Sequence, residues 1–463
     1  MPCRMITSFL CDPRPVFTAN GRTSTTASEL TETSRIDFDA VCSVLQFGGI
    51  VPPLSPWCDV ARLVPSRRST ATLASSRVGE TLVAETSPQQ QVDRVIAALD
   101  EALLRSVGDN DRPVLLFSGG VDSGLLAARL VSLGRHPRLF NYAFGQDDPE
   151  SILAEAMAKH LGLEIERILP DGQPTLALEA PGRLYPQPFG DHSVVPTSDL
   201  ARQVMSRIDP GQVIIEGIGA DGLFGLRQKI ASWRRVYQLP PPLRKAAAFL
   251  LQGNLAGGRL EPIAKILKRS ADLPMAAAII AQNPFSGVAY AASPRVRSAF
   301  SSWIGSDAGI DADAAIVLAD LALTCSNVFA QKDISLYESA GHVVALPFLD
   351  EMLVESLIYE APHWPTTEPK APLKAALARH VPAEMVYRKK VGFAESRPKV
   401  FDTPEFSNYL HEAIEGPLSE LLIRPHVQSM LSAVRSGDKL PAQTLNFLWS
   451  LTFTDRWYKT ANT

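Results

Sequence analysis

A buried strand that turns through paired glycines into a helix constrains this chain more than any other feature. Residues 114–117 are apolar, a polar turn follows them, and residues 124–133 have helical spacing. The turn consists of Ser118, Gly119, Gly120, Val121, Asp122 and Ser123. Adjacent glycines let the backbone approach an anion closely, and the N-terminus of the following helix favours negative charge at the same place. The turn therefore predicts a site for a phosphate chain.

The acidic residue in this turn points to a metal ion. The carboxylate of Asp122 repels phosphate, so its position is best explained by a Mg²⁺ ion that accompanies a nucleoside triphosphate such as ATP. No Gly-Lys-Ser/Thr follows the glycines, so the turn is not a Walker A loop. A glycine turn without a ligand is the alternative, but a six-residue match between a strand and a helix is specific enough to disfavour it.

The composition is that of an ordinary globular protein. The chain has 463 residues, of which 46% are hydrophobic and 20% charged, with a net charge of −4. This length gives room for two or three domains, and the charge gives no reason to expect nucleic-acid binding. The five cysteines are scattered without a CxxC pair, which favours a reducing compartment. Because no apolar run reaches ~20 residues and no signal pattern is visible, we expect a cytoplasmic protein without membrane insertion.

Strand-like and helix-like segments alternate after residue 113. The predicted strands cover residues 114–117, 138–144, 164–169 and 213–216. The predicted helices between them cover residues 124–133, 150–161 and 199–208. This alternation predicts an α/β fold with a doubly wound parallel sheet and flanking helices, in which ligands bind at the carboxyl ends of the strands.

We divide the chain into three parts. Residues 1–86 lack clear periodicity and are expected to form a small N-terminal α+β module. Residues 87–91 combine Ser, Pro and Gln and are typical of a linker. Residues 92–463 open with helical spacing and are expected to form the main domain.

A second glycine turn follows the predicted strand at 213–216. It consists of Gly217, Ile218, Gly219, Ala220, Asp221 and Gly222, which also satisfies the dinucleotide pattern GxGxxG. That pattern requires an acidic strand end ~20 residues later, and this chain has none there, so we do not expect NAD or FAD. Asp221 is instead a second carboxylate for Mg²⁺ beside Asp122, and Gly217 lets the backbone pack against the nucleotide.

Together the two turns resemble the synthetase domain of class B asparagine synthetases and β-lactam synthetases, which cleave ATP between its α and β phosphates. Residues 346–350, 370–374 and 388–393 resemble that family's VPFLD, K..LR and R.K.GF segments. Trp449 and Trp457 resemble its C-terminal helix. The resemblance covers residues 90–463 and implies a sheet of the PP-loop ATP pyrophosphatase type. It also implies that residues 1–86 are a reduced, non-catalytic module derived from a glutaminase.

The resemblance implies a two-step reaction with ATP and Mg²⁺. ATP adenylates a carboxylate and releases pyrophosphate, and a nitrogen nucleophile then displaces AMP. By position, the pyrophosphate would be held by Ser118, Gly119, Gly120 and Ser123. The remaining roles would be Mg²⁺ binding by Asp122 and Asp221, adenine contact by Leu116 and by Tyr142 in residues 141–144, and charge stabilisation in the acyl transition state by the catalytic Lys390.

The chain departs from the family on the side of the nucleophile. Position 2 is Pro2, and Cys3 is one residue too late for the cysteine of a glutaminase, so ammonia from glutamine is not expected. Ile218 stands where asparagine synthetases have Glu and β-lactam synthetases have Tyr. Gly222 replaces a second acidic residue of the asparagine synthetases. The activation machinery is therefore intact, whereas both known acceptor arrangements are altered.

This combination is most similar to the lasso peptide macrolactam synthetases. That branch implies adenylation of an Asp or Glu side chain in a precursor peptide, followed by attack of the peptide's own α-amine, for which prefolding supplies proximity. It implies a leader-peptide protease and a leader-binding protein as partners. A small-molecule ligase of the asparagine or β-lactam synthetase type and a non-catalytic scaffold with a vestigial nucleotide site are the alternatives. By location, the candidates for the general base are Glu216, Asp191, His192, Glu338 and His342.

Overall fold

The structure is a computed structural model of the chain. It describes residues 11–64, 86–172, 176–227, 230–231, 239–253, 293–304, 312–358, 360–361, 368–388, 403–436 and 442–461. The predicted catalytic Lys390 and the residues Pro2 and Cys3 lie outside these ranges.

Eight strands form two sheets within the described residues. They are β1 (Phe17–Ala19), β2 (Arg22–Ser24), β3 (Ala61–Arg62), β4 (Val114–Leu116), β5 (Arg138–Tyr142), β6 (Ile165–Ile168), β7 (Val213–Ile215) and β8 (Val343–Ala345). The first three make a small antiparallel sheet in the order β2-β1-β3. The other five make a parallel sheet in the order β6-β5-β4-β7-β8. The predicted α/β fold with a doubly wound parallel sheet is confirmed.

Helices flank the parallel sheet. In chain order they are α1 (Phe38–Phe47), α2 (Pro88–Val107), α3 (Val121–Ser132), α4 (Pro149–His160), α5 (Leu176–Glu179), α6 (Pro181–Leu184), α7 (Val194–Met205), α8 (Ala220–Phe224), α9 (Pro241–Gly253), α10 (Pro294–Ile304), α11 (Ala312–Ala319), α12 (Ala330–Ser339), α13 (Glu351–Leu357), α14 (Ala371–Leu377), α15 (Ala383–Val386), α16 (Pro404–Glu415), α17 (Arg424–Arg435) and α18 (Ala442–Thr460). A π-helical segment, Asp320–Phe329, joins α11 to α12.

The strand order places both glycine turns at one crevice. The chain fills the sheet outward from β4 to β5 and β6, then returns to add β7 and β8 on the other side of β4. Leu115 of β4 pairs with Ile215 of β7. Such a reversal opens a crevice at the carboxyl ends of the two strands. The turn after β4 and the turn after β7 therefore face each other across it.

The segment predicted as a linker begins a helix. The helix α2 starts at Pro88 rather than at residue 92, so residues 88–91 form its first turn. Ser87 and Gln90 form a capping box: the Ser87 hydroxyl accepts from Gln90 N at 3.3 Å, and Ser87 N donates to Gln90 Oε1 at 2.9 Å. Capping boxes satisfy two otherwise unbonded N–H groups, which explains why a Pro- and Gln-containing segment is helical here.

Residues 11–64 pack into the same hydrophobic core as the parallel sheet. The ring centroid of Trp57 lies 5.8 Å from that of Trp457 and 5.0 Å from that of Tyr458, both in α18. Arg14 forms an ion pair with Glu338 at 2.6 Å. The division of the chain into domains stays a prediction, but these contacts show that the described N-terminal residues are bound to the rest of the chain.

Among the described residues, one helix is long and apolar enough to span a membrane. It covers Asp313–Ser339, and 89% of its apolar window is buried inside the protein. A core helix of a globular protein has this same composition, because helices surrounded by other elements are apolar on every face.

We predict that residues 11–64 unfold together with the main domain. Trp57→Ala should lower the free energy of unfolding by about 3–5 kcal/mol, since it leaves a cavity where a large ring was buried. Trp457→Ala should shift the same transition. Phe249→Ala, whose side chain is 77% exposed, is the control and should change little. Urea unfolding followed by circular dichroism tests this, and a separate transition that responds to Trp57→Ala alone would contradict it.

Candidate active site

The first glycine turn folds back on itself through its two serines. Ser118 N donates to Ser123 Oγ at 3.2 Å, and Gly120 N donates to Ser118 Oγ at 3.3 Å. Gly120 is the N-cap of α3, and no side chain caps this helix. The N-terminus of α3 therefore lies at the crevice without a capping side chain, an arrangement suited to phosphate.

Gly119 is required at its position for two reasons. Its φ is +67°, a conformation that side chains with a Cβ rarely adopt. A Cβ built on it would lie 2.6 Å from Cα of Ala154 in α4, which is too close for any real contact. The turn thus rests directly on the backbone of α4.

The second glycine turn packs against the first. A Cβ on Gly217 would lie 3.1 Å from Cβ of Asp122, so the two turns approach as closely as this glycine allows. Gly219 has φ +106°, and a Cβ there would lie 2.9 Å from the side chain of Leu349. Leu349 belongs to the predicted VPFLD-like segment, whose Asp350 caps α13 by accepting from Leu353 N at 3.1 Å. That segment therefore supports the second turn from behind.

A lysine joins the two carboxylates that the sequence predicts for Mg²⁺. Nζ of Lys370 lies 2.6 Å from Oδ2 of Asp122 and 2.7 Å from Oδ1 of Asp221. Lys370 is the N-cap of α14, has φ +58°, and its N–H donates to the carbonyl of Phe224 at 3.0 Å. Both carboxylates therefore point to a single position, at which the structure places a positive charge.

The ammonium group of Lys370 is held in its charged form. Burial alone lowers the pKa of this lysine, but Asp122 and Asp221 outweigh burial and raise the pKa above its usual value. The side chain of Asp122 is 14% exposed, whereas that of Asp221 is 78% exposed. Asp122 is thus largely buried, whereas Asp221 is open to solvent. An incoming ligand can reach the pair from the side of Asp221.

This donor set fits a magnesium ion. Two carboxylates already converge on one cation, and Mg²⁺ is commonly held by one or two carboxylates together with phosphate oxygens and water. Within the described residues, no three His, Cys, Asp or Glu side chains gather into a complete metal site. Nucleotide phosphates would therefore have to complete the coordination.

Arg388 ties the start of the R.K.GF-like segment to the first turn. Its guanidinium pairs with Glu150 at 2.8 Å and donates to the carbonyl of Gly119 at 3.2 Å. Lys390, two residues further along, lies outside the described residues, so its catalytic role stays a prediction. Arg388 itself lies at the edge of the phosphate loop.

The two residues predicted to face the adenine lie on adjacent strands. Leu116 ends β4 and is 9% exposed. Tyr142 ends β5, is half-buried, and its hydroxyl donates to Asp199 Oδ2 at 3.1 Å. Burial and Asp199 raise the pKa of Tyr142 well above its usual value. The hydroxyl is thus committed to Asp199, and only the ring of Tyr142 is available for a base.

The candidates for the general base separate into two groups. Glu216, Asp191 and His192 belong to one cluster around Lys332 and Asp333 of α12. The other two candidates lie elsewhere. Glu338 is occupied by Arg14, and His342 precedes β8 with its pKa lowered by burial.

Sequence reasoning missed the partners of these groups. Lys370 was recognised as part of a family-like segment but was given no role, and it is 248 positions from Asp122 in the chain. Lys332 and Asp333 carried no motif at all. A signal for Lys370 was present: a lysine in a matching segment, together with two carboxylates that need a cation.

Comparison with known families assigns most of the chain to one family. The family model for asparagine synthase matches residues 94–459, which is most of the chain. The chain therefore belongs to the asparagine synthase family, whose domain uses ATP to form amides. Residues 11–64 lie outside the matched region. A comparison with curated proteins finds no significant match.

We predict that Gly119→Ala weakens ATP binding. The added Cβ meets the backbone of α4, so the loop must move, at a cost of about 1–3 kcal/mol on top of any strain at positive φ. Gly134→Ala is the matched control, because Gly134 has φ +74° but nothing within 4 Å of its built Cβ. Calorimetric titration with ATP measures both. Equal affinities for the two variants would show that contact with α4 does not shape the loop.

A second prediction concerns the cation position. Lys370→Met should cost about 3 kcal/mol of stability, because it leaves a largely buried carboxylate without its partner. Mg²⁺ should restore up to about 3 kcal/mol at a concentration 100-fold above its dissociation constant, since it replaces the ammonium group.

Lys459→Met is the matched control, because Lys459 also joins two carboxylates, Glu412 at 3.0 Å and Asp455 at 2.7 Å. Thermal unfolding with and without MgCl₂ gives the comparison. A Mg²⁺ response of equal size in both variants would argue against a magnesium position at Asp122 and Asp221.

Proposed function

We propose that this chain closes a peptide into a macrolactam, as the lasso peptide macrolactam synthetases do. ATP first adenylates an Asp or Glu side chain of the peptide and pyrophosphate leaves. The α-amine of the same peptide then attacks the acyl group and AMP leaves. The observation that carries the first step is the pair Asp122 and Asp221, which converges on one cation beside a phosphate-binding turn.

Different residues of the crevice would have different roles in the first step, the adenylation. Donors of the turn, from Ser118 to Ser123, and the N-terminus of α3 would hold the departing pyrophosphate. Asp122 and Asp221 would hold Mg²⁺, which neutralises charge on the phosphates. Lys370 would then be released from its carboxylates to stabilise phosphate charge. Lys390 would stabilise charge on the acyl transition state.

The altered residue on the side of the nucleophile favours a peptide amine as the nucleophile. Ile218, in place of Glu or Tyr, is half-buried and packs against the core rather than presenting a polar group. An apolar residue there offers nothing to hold free ammonia or to deprotonate a small substrate. An amine that belongs to the same peptide is already positioned, so it needs less help from this position.

We also propose where the reaction takes place and which proteins assist it. The substrate would be a precursor peptide in the cytoplasm, delivered by a leader-binding protein after a leader-peptide protease exposes the α-amine. The α-amine must be free before ring closure, because an amide nitrogen is not a nucleophile. Removal of a leader therefore has to precede or accompany this reaction.

Exchange of labelled pyrophosphate into ATP tests the proposal. Synthetic linear peptides with a free α-amine and an Asp or Glu at residue eight or nine should support exchange, and free Asp and Glu should not. Asp122→Asn should abolish exchange, because it removes a carboxylate from the cation position. Mass spectrometry should show a product lighter than the peptide by one water.

Three outcomes distinguish the candidates. Exchange with the peptides and formation of the dehydrated product support macrolactam formation. Exchange with free Asp or Glu alone would replace the proposal with a small-molecule ligase. Absence of exchange with all of these, also after addition of the leader-binding protein and the protease, would favour a scaffold without catalysis.

A further inference from the structure

A buried cluster of polar groups lies beside the candidate active site, and the first step does not use it. Glu216 directly follows β7, and its N–H donates to the carbonyl of Ala345 in β8 at 3.1 Å. Its carboxyl group interacts electrostatically with the carboxyl group of Asp333 in α12. Two neighbouring buried carboxyl groups do not both ionise, because burial and the repulsion of like charges oppose it, so the two groups form an acid–carboxylate pair.

The pair has no cation of its own in the described part of the chain. Lys332, next to Asp333, is committed to Asp191 at 2.8 Å and donates to Ser193 Oγ at 2.5 Å. Lys332 lowers the pKa of Asp191 below its usual value despite burial, so these two charges cancel. Burial lowers the pKa of His192, so it adds no charge at neutral pH. The acid–carboxylate pair therefore keeps an excess negative charge.

Two buried hydroxyl groups face this charge without bonding to it. Tyr337 and Tyr185 are 0% and 1% exposed, and their hydroxyls have no hydrogen-bond partner in the described chain. Both interact electrostatically with Asp333. Oε2 of Glu216 and both side-chain oxygens of Asp333 also lack a hydrogen-bond partner in the described chain. Buried polar atoms without partners around one place mark a site for water or a polar ligand group.

Glu216 connects this site to the crevice. Asp333 is 1% exposed, whereas Glu216 is half-buried, so a ligand would meet Glu216 first. Glu216 immediately precedes Gly217, the residue that packs against Asp122. The excess negative charge at Glu216 is thus separated only by Gly217 from Asp122, the residue predicted to bind magnesium. A group that binds here should be a hydrogen-bond donor and positively charged, as a primary ammonium is.

We infer that Glu216 and Asp333 form the site that binds the attacking ammonium group and takes its proton, an inference that rests on the proposed function. Glu216 is the catalytic residue, because it contacts the amine. Asp333 is a positioning residue that acts through Glu216. Lys332, the neighbour of Asp333 in α12, is fixed by its ion pair with Asp191.

The second step transfers two protons and exchanges one bond at the acyl carbon. The ammonium group gives one proton to the carboxyl pair, and its freed electron pair forms the C–N bond with the acyl carbon. The bond between that carbon and the AMP oxygen breaks, and its electrons leave on AMP. The nitrogen then still carries one extra proton. This proton passes to water, and the product is the amide.

The environment of Glu216 suits this role. Burial, and after it Asp333, raises the pKa of Glu216 well above its usual value, although Lys332 acts in the opposite direction. A carboxyl group with an ordinary pKa takes a proton poorly from an ammonium group. Raising the pKa of the acceptor towards that of the amine improves the transfer.

The test separates the two steps in the full chain, with the peptide that supports exchange. Glu216→Gln should leave pyrophosphate exchange unchanged and slow amide formation by about 10²- to 10⁴-fold, which is the usual contribution of a general base. Hydroxylamine is unprotonated at neutral pH and needs no base. Hydroxamate formation from the adenylated peptide should therefore survive in Glu216→Gln. Asp333→Asn should show the same split in weaker form.

Two controls guard against a structural effect. Glu101→Gln changes a carboxyl group of α2 that is 66% exposed and pairs with Arg105, and it should leave both steps intact. Glu216→Asp keeps a carboxylate and should recover part of the amide formation. Equal losses of exchange, hydroxamate and amide in Glu216→Gln, or no loss of amide, would overturn the inference while the proposed function stands. Absence of exchange in the unaltered protein would overturn the proposed function, and this inference with it.

Discussion

The candidate site depends on one ammonium group between two carboxylates. Asp122 and Asp221 come from turns that follow neighbouring parallel strands, and without a cation their like charges would repel across the crevice. Lys370 supplies that cation at 2.6 and 2.7 Å, from a backbone position with φ +58°. A residue with a side chain is uncommon there and persists only where its surroundings fix it, which the hydrogen bond to Phe224 does. The crevice is therefore held ready for a cation before any ligand arrives.

The sequence predicts those parts of the fold whose defining residues are adjacent in the chain. The turn from Ser118 to Ser123 needs two glycines, an apolar strand before it and a helix after it, and all of these are adjacent in the chain. Lys370 could not be placed in the same way, because it meets Asp122 across 248 positions. The start of α2 was misplaced for a different reason. Its first turn contains Pro and three Gln, which are typical of a linker until the capping box of Ser87 and Gln90 is recognised.

Residues 11–64 lie outside the family match, yet they share the core of the matched region. Trp57 packs on Trp457, and Arg14 reaches Glu338 in α12, the helix that also carries Lys332 and Asp333. The N-terminal residues thus help to fix the position of α12. A segment that was predicted to be a reduced N-terminal module therefore contacts the helix that carries Lys332 and Asp333. The sequence alone could not show this, because contacts of this kind leave no local pattern.

Gly217 lies between the residues that we propose for the two steps of the reaction. On one side Asp122 approaches its Cα so closely that a Cβ would lie 3.1 Å away. On the other side Glu216 begins the buried acid pair with Asp333. Burying two carboxyl groups without a cation of their own is unfavourable, and proteins usually avoid it unless the site has a use. Activation of a carboxylate needs positive charge, which Mg²⁺ would supply between Asp122 and Asp221, whereas capture of an ammonium group needs the negative charge of the acid pair. The residues that meet these two requirements lie on either side of one glycine.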